Sequence, residues 1–189
     1  MILYKRHDSY AEYVAKQKEK TLDPARISKW TGPEWETKMD WFRRVFTRNQ
    51  PYLGKNAICL GARTGQEVAV LREMGLESVG IDLVAFPPYT KEGDIHELDF
   101  ADDTFDFAFT NIFDHALYPD KFVSEMERVC KGHIVLNLQI NTKGDDYSEN
   151  EVKDPADVIG LFKRSTVVES RSIDNNFDGM NYELVMKRG

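Results

Sequence analysis

From Asn56 onward the chain alternates strand-like and helix-like segments, and this rhythm restricts its fold more than any other feature. The apolar run NAICL (56–60) predicts a buried strand, followed by a glycine-bearing turn. QEVAVLREMG (66–75) predicts a helix ending at Gly75. SVGIDLV (78–84) predicts a second strand, stopped by Pro87-Pro88 because paired prolines cannot continue a central ladder. A short third strand is expected over Thr90–Ile95 and a fourth over FDFAFTN (105–111), whose continuous apolar character suits cover on both faces. DKFVSEMERVCK (120–131) sets Phe122, Val123, Met126, Val129 and Cys130 on one helical face, and HIVLNLQ (133–139) follows as a fifth strand. Thr142–Asp154 is polar and acidic, hence a loop, and Pro155–Phe162 a short helix. STVVESRSI (165–173) and NYELVMK (181–187), joined across Asp174–Gly179, predict a terminal antiparallel pair. The order implies an α/β fold: a mostly parallel seven-stranded sheet with helices on both faces.

Nothing before Asn56 shares this rhythm. Residues 9–20 read as a charged helix with Tyr10, Tyr13 and Val14 as a narrow apolar stripe. Residues 33–48 read as a second helix that opens at Pro33 and carries Trp35, Met39, Phe42, Val45 and Phe46 at helical spacing. The expected organisation is one domain over 1–189, with a helical lid at 1–50 and the core at 51–189. All three tryptophans, Trp30, Trp35 and Trp41, fall in the lid. Their rings either offer apolar faces to a bound acceptor or anchor short helices to the core.

Charge narrows the choice of partners. Residues 1–50 hold 11 Lys+Arg against 7 Asp+Glu, while the remainder holds 14 against 25. An acidic body is a poor surface for nucleic-acid phosphates, so no nucleic-acid partner is expected. The basic N-terminal segment either draws an anionic substrate or is a solvated helical face. No apolar run approaches the roughly 20 residues that span a bilayer, and the opening MILYKRHDSYAEY lacks a leader's apolar stretch. Cys59 and Cys130 lie far apart without metal-ligand spacing. Free thiols in a reducing compartment follow, which sets the expectation of a cytoplasmic protein with no membrane partner. A domain excised from a larger multidomain protein is also compatible with the sequence.

In such sheets ligands bind beyond the carboxyl ends of the strands. The turn after the first strand reads Gly61-Ala62-Arg63-Thr64-Gly65. Glycine permits the tight turn and a close backbone approach, and the helix that follows presents free N–H groups to a ligand. Asp82 stands 21 residues after Gly61 at the end of the second strand, where a carboxylate accepts hydrogen bonds from both hydroxyls of a ribose. A dinucleotide requires glycine at the second fingerprint position so that its pyrophosphate can touch backbone; Arg63 occupies it. S-adenosylmethionine has no phosphate and escapes that requirement, and its carboxylate is a match for Arg63.

The segments ICLGARTGQEV, GIDL, GDIHELDFADDTFDFAFTN and LYPDKFVSEMERV together resemble the class I S-adenosylmethionine-dependent methyltransferases over roughly Asn56–Gln139. The resemblance implies a Rossmann-like fold with S-adenosylmethionine as cofactor. It implies that the turn, through Gly61, Ala62, Arg63 and Gly65, cradles the methionine moiety, that Asp82 holds the ribose, and that Leu83 packs near the adenine. Asp94 and Ile95 match the adenine-edge position, and Thr110 and Asn111 the segment lining the methyl-transfer site. Two positions depart from the pattern: Cys59 stands where an acidic residue is common, and Arg63 replaces the central glycine. YVAKQKEKTLDPARISKW and FTNIFDHALYP look like small methyltransferases of surface-glycan synthesis, which implies a sugar hydroxyl, or another small-molecule one, as acceptor.

Methyl transfer to an alcohol needs in-line approach, exclusion of water and a base for the hydroxyl proton. His115 and Asp114 lie just beyond the fourth strand. In one reading His115 is that base and Asp114 orients it or the substrate; in the other His115 is a loop or helix-cap residue. Acceptor choice falls to the lid and to the loops at Phe113–Tyr118 and Thr142–Asp154. Asp106, Asp114 and His115 do not form a clear ligand cluster, so no metal is expected. The alternative is a non-catalytic S-adenosylmethionine-binding partner subunit, for which Arg63 is the chief argument. A nicotinamide-dependent reductase is disfavoured by the missing middle glycine.

Overall fold

The computed structural model describes residues 1–4, 6–174 and 179–189. The N-terminal part contains β1 (Ile2–Leu3), α1 (Tyr10–Leu22), α2 (Pro24–Thr31) and α3 (Trp35–Arg48). The remainder runs β2 (Asn56–Leu60), α4 (Gln66–Glu73), β3 (Glu77–Asp82), β4 (Thr90–Glu92), β5 (Phe105–Thr110), α5 (Pro119–Val129) and β6 (Cys130–Leu138). It closes with β7 (Asn150–Glu151), α6 (Pro155–Ile159), β8 (Ser165–Ser172) and β9 (Tyr182–Arg188).

Seven strands form one sheet in the order β4-β3-β2-β5-β6-β9-β8. Strands β4 to β6 pair in parallel, and β9 runs antiparallel to both β6 and β8. The fold is the expected Rossmann-like α/β sheet. Its strand order reverses at β2, so the crevice beyond the carboxyl end of that strand lies at a topological switch point.

Successive side chains on a strand point to opposite faces, and the core divides accordingly. Ile58, Leu60, Ala108, Ile134 and Leu136 pack on one face with Phe122, Val123 and Met126 of α5. Ala57, Cys59, Phe107, Phe109 and Val135 pack on the other with Val68 and Leu71 of α4 and Phe42, Val45 and Phe46 of α3. Central strands covered on both sides read as unbroken apolar runs for this reason. The rings of Phe107 and Phe109 meet Phe46 edge-on at centroid distances of 6.1 and 5.1 Å. Thus α3 is a layer of the core, while α1 and α2 stand over the carboxyl ends of the strands.

Helix α1 starts where the Ser9 hydroxyl accepts the N–H of Glu12. Helix α2 has no counterpart in the sequence expectations, although Asp23-Pro24 carries its start signal: the Asp23 carboxylate accepts the N–H of Ala25, and Pro24 sits in the first turn. The expected loop at Thr142–Asp154 contains β7, which pairs with β1. A two-residue strand made by partners nearly 150 positions apart leaves no local periodicity to read. Residues 175–178 of the expected turn Asp174–Gly179 lie outside the described residues. Among the described residues no helix is long and apolar enough to cross a membrane. Cys59 and Cys130 are free and buried. Burial pushes both thiols up, Cys130 to about 12, which keeps them unreactive.

Candidate active site

The glycine turn links the end of β2 to α4. Gly61, Arg63 and Gly65 all adopt positive φ, 72°, 48° and 86°. The Gly61 and Ala62 N–H groups donate to the Ile81 carbonyl, which draws the turn against the end of β3. A Cβ at Gly65 would stand 2.2 Å from the Tyr89 Cβ, so glycine is required there by packing. Asp82, the last residue of β3, accepts the Arg63 N–H at 2.8 Å through Oδ2 and the Val84 N–H at 3.3 Å through Oδ1. Burial pushes its carboxyl above the usual range, against the pull of these bonds and of the Arg63 charge.

A cavity of about 530 Å³ opens beside this carboxylate. Gly61, Arg63, Asp82, Leu83, Asp94, Ile95 and His115 all border it, and so does Ile112. Its remaining wall is α1, through Tyr13, Gln17, Lys20 and Thr21. A smaller cavity of about 260 Å³ lies on the other side of Gly61, between Ala62, Lys38, Gln66, Glu67 and Asn111. There burial pushes the Glu67 carboxyl up to about 8, opposed by Arg63 and Lys38. A third, of about 710 Å³, is reached past Lys20, Arg63, Ile112 and His115, which border both it and the first. Asn111 and Asp114 face this third cavity, as do Arg26, Lys29 and Trp30 of α2.

Two residues expected at the site do not reach it. Gly65 borders none of the three cavities. Thr110 is fully buried, its hydroxyl donating to the Leu60 carbonyl at 3.1 Å and accepting from the Ile112 N–H. It pins the end of β5 to the end of β2, because the last side chain of β5 turns into the sheet layer and the chain leaves for the cavity only afterwards.

His115 ends a short 3-10 turn after β5. Its Nδ1 lies 2.9 Å from the Tyr147 carbonyl, which only accepts, so Nδ1 carries the proton and Nε2 a lone pair. Lys20 Nζ donates to that lone pair at 3.2 Å. Asp114 does not orient the ring: its Oδ2 accepts the Ser148 hydroxyl at 2.7 Å and stays 3.7 Å from Nε2. The Tyr147 carbonyl takes that part, and Gln17 of α1 donates to the same oxygen. Lys20 and Tyr147 were not among the sequence candidates, and no spacing or motif marks them.

Asp94 is held just as firmly. Its Oδ1 accepts the His96 N–H and faces His96 Nδ1 at 3.0 Å, and its Oδ2 accepts the Tyr10 hydroxyl. Burial acts to raise this carboxyl, but the bonds from His96 and Tyr10 outweigh it and hold it at about 2. A carboxyl lowered on folding stabilises the folded state above its usual value of 3.8, and that contribution is lost as pH falls toward about 2. Unfolding free energies of Asp94→Asn, measured in urea across this window, should fall less with acidification than those of the unsubstituted protein. Equal slopes would show that Asp94 is not so tied.

Asp106 lies at the opposite end of the sheet, its carboxylate accepting the Lys55 and Asn56 N–H groups. Among the described residues no group of three or more His, Cys, Asp and Glu side chains is placed to hold a metal ion.

Residues 58–136 match the family model described as "Methyltransferase domain". The structure is also similar, with a TM-score of 0.71 and 15% identity, to a Burkholderia thailandensis 1,6-didemethyltoxoflavin-N1-methyltransferase with bound 1,6-didemethyltoxoflavin and S-adenosylhomocysteine. That match covers 99% of this chain and 93% of the other. Residues 58–136 thus resemble a methyltransferase domain, and the chain as a whole has the fold of that methyltransferase. A SAM-dependent methyltransferase from Methanosarcina mazei has the same fold, with a TM-score of 0.63, 15% identity, and 75% and 96% of the two chains covered. Another from Archaeoglobus fulgidus superposes with a TM-score of 0.64 and 15% identity over 88% of this chain and all of that one. Searched against curated proteins, the sequence matches none. The matched stretch begins in β2 and ends in β6, so it spans the glycine turn, Asp82, Asp94 and His115, but not Lys20 or Tyr147.

Proposed function

We propose that this methyltransferase domain transfers the methyl group of S-adenosylmethionine to a hydroxyl of a sugar, a glycan or another small polar molecule. The observation that carries the reading is the Asp82 carboxylate at the switch point, beside the Gly61 turn and on the wall of the first cavity. A carboxylate has about four lone-pair positions, and the two backbone bonds leave Asp82 free to accept two ribose hydroxyls. The same count leaves one lone pair on Asp94 Oδ2 for an adenine amine, while Leu83 and Ile95 supply apolar cover. In the smaller cavity Lys38 offers its charge to a carboxylate, and the Glu67 carboxyl offers a hydrogen-bond acceptor to an ammonium.

The donor supplies a methyl group already electrophilic on its sulfonium, so the chain's task is to align the acceptor, exclude water and accept a proton. Asp82, Asp94 and the turn orient the donor, and α1 covers it. His115 receives the acceptor's hydroxyl proton at Nε2, the nitrogen left with a lone pair because the Tyr147 carbonyl holds Nδ1–H. Its position on the walls of both the first and the third cavity supports this role. The acceptor hydroxyl takes the place that Lys20 Nζ fills beside Nε2 in this structure.

Calorimetry tests the reading: S-adenosylhomocysteine should bind and NAD or NADP should not. Binding of a nicotinamide dinucleotide instead would overturn it. Donor binding with no methyl transfer to any of a panel of glycans and small alcohols would favour a non-catalytic partner subunit.

A further inference from the structure

The third cavity is bordered by more cationic than acidic side chains. Four cationic side chains border it: Lys20 from α1, Arg26 and Lys29 from α2, and Arg63 from the glycine turn. Three acids border it as well, and each is already engaged. Glu34 is bridged by Lys29 at 2.7 Å and Lys38 at 3.5 Å. Asp114 accepts the Ser148 hydroxyl. Asp145 accepts the Tyr147 N–H at 2.8 Å and faces Lys20 at 3.4 Å.

Lys20 faces Asp145, Arg26 faces Asp23 at 3.6 Å and Lys29 bridges Glu34, whereas Arg63 has no such partner. Among the described residues no carboxylate lies within ion-pair distance of its guanidinium, which stacks 4.4 Å above the Trp30 ring. Stacking covers a face of the guanidinium and leaves its in-plane N–H donors directed outward, the arrangement suited to a carboxylate or phosphate. Lys20 is only 8% exposed and shares two cavity walls with Arg63. Burial pushes its ammonium below the usual lysine value, and the Arg63 charge pushes the same way, against Asp145. Like charges brought together under partial burial disfavour each other until an anion comes between them.

Resting on the methyltransferase reading, we infer that the acceptor is itself an anion: a small hydroxylated molecule whose carboxylate or phosphate is held by Arg63, Arg26 and Lys29 while its hydroxyl lies at His115. The methionine carboxylate of the donor would account for Arg63 alone. Arg26 and Lys29 border the third cavity and neither of the other two. A neutral sugar would satisfy hydrogen bonds in the cavity but leave the repulsion between Lys20 and Arg63 in place.

The test uses three matched hexose probes, titrated onto protein saturated with S-adenosylhomocysteine: glucose, glucuronate and glucose 6-phosphate. One or both charged sugars should bind about tenfold more tightly than glucose, and which one does so separates carboxylate from phosphate. The double variant Arg26→Met/Lys29→Met should remove about tenfold of that affinity and leave S-adenosylhomocysteine binding unchanged. Both side chains are partly exposed at the cavity rim, so the variant keeps its fold, and a thermal melt checks this. Glucose binding as tightly as the charged probes, or no binding of either charged probe, overturns the inference, and the methyltransferase reading then survives through the bound S-adenosylhomocysteine. Failure of S-adenosylhomocysteine itself to bind overturns both.

Discussion

Replacing Asp82 with alanine should weaken S-adenosylhomocysteine binding about a hundredfold, because two charge-assisted hydrogen bonds to ribose, each about 1.5 kcal/mol, are lost together. The carboxylate also ties the glycine turn to β3 through the Arg63 and Val84 N–H groups, so alanine will lower stability as well. Asp82→Asn separates the two effects. It keeps one acceptor oxygen and the side-chain shape, and so keeps most of the turn, but loses the charge that strengthens both ribose bonds. Calorimetry on a folded Asp82→Asn protein is therefore the deciding measurement. Undiminished affinity there would remove the central support for the donor site.

His115→Ala should lower turnover by about 10² to 10⁴, the range expected when a positioned general base is removed, with S-adenosylhomocysteine affinity nearly unchanged. The ring also bridges Lys20 and the Tyr147 carbonyl, and its loss loosens α1 and the 142–149 loop. Exogenous imidazole tells chemistry from scaffolding. Partial rescue of turnover identifies the missing group as a base, whereas a structural defect would not respond to it. Unchanged turnover in the alanine variant would assign the proton to another group, and Lys20 is the nearest basic atom to Nε2.

The features that were legible in the sequence are those written in short-range patterns. The strand at Asn56–Leu60 has its expected bounds, since the four consecutive apolar positions Ala57–Leu60 can be satisfied in a parallel sheet only between two helical layers. The placement of Asp82 at a strand end follows from one strand–turn–helix–strand unit of ordinary length. Helix α2 was legible in principle, because Asp23-Pro24 is a local start signal. Asp114 is the adjacent candidate partner for His115, and its carboxylate does approach the ring, to 3.7 Å, but its hydrogen bond goes to Ser148.

Sequence by itself therefore determined the alternating architecture, the glycine turn and the acidic residue beside it, because each depends on periodicity or spacing within about 30 residues. Tertiary structure alone decided what surrounds His115 and Asp94. Lys20 reaches His115 across 95 positions, Tyr10 reaches Asp94 across 84, and the Tyr147 carbonyl arrives from 32 residues beyond the ring it orients. No local pattern encodes such meetings. They follow from how α1 and the 142–149 loop settle over the ends of the strands, and that placement is set by apolar packing and buried hydrogen bonds summed over the whole domain.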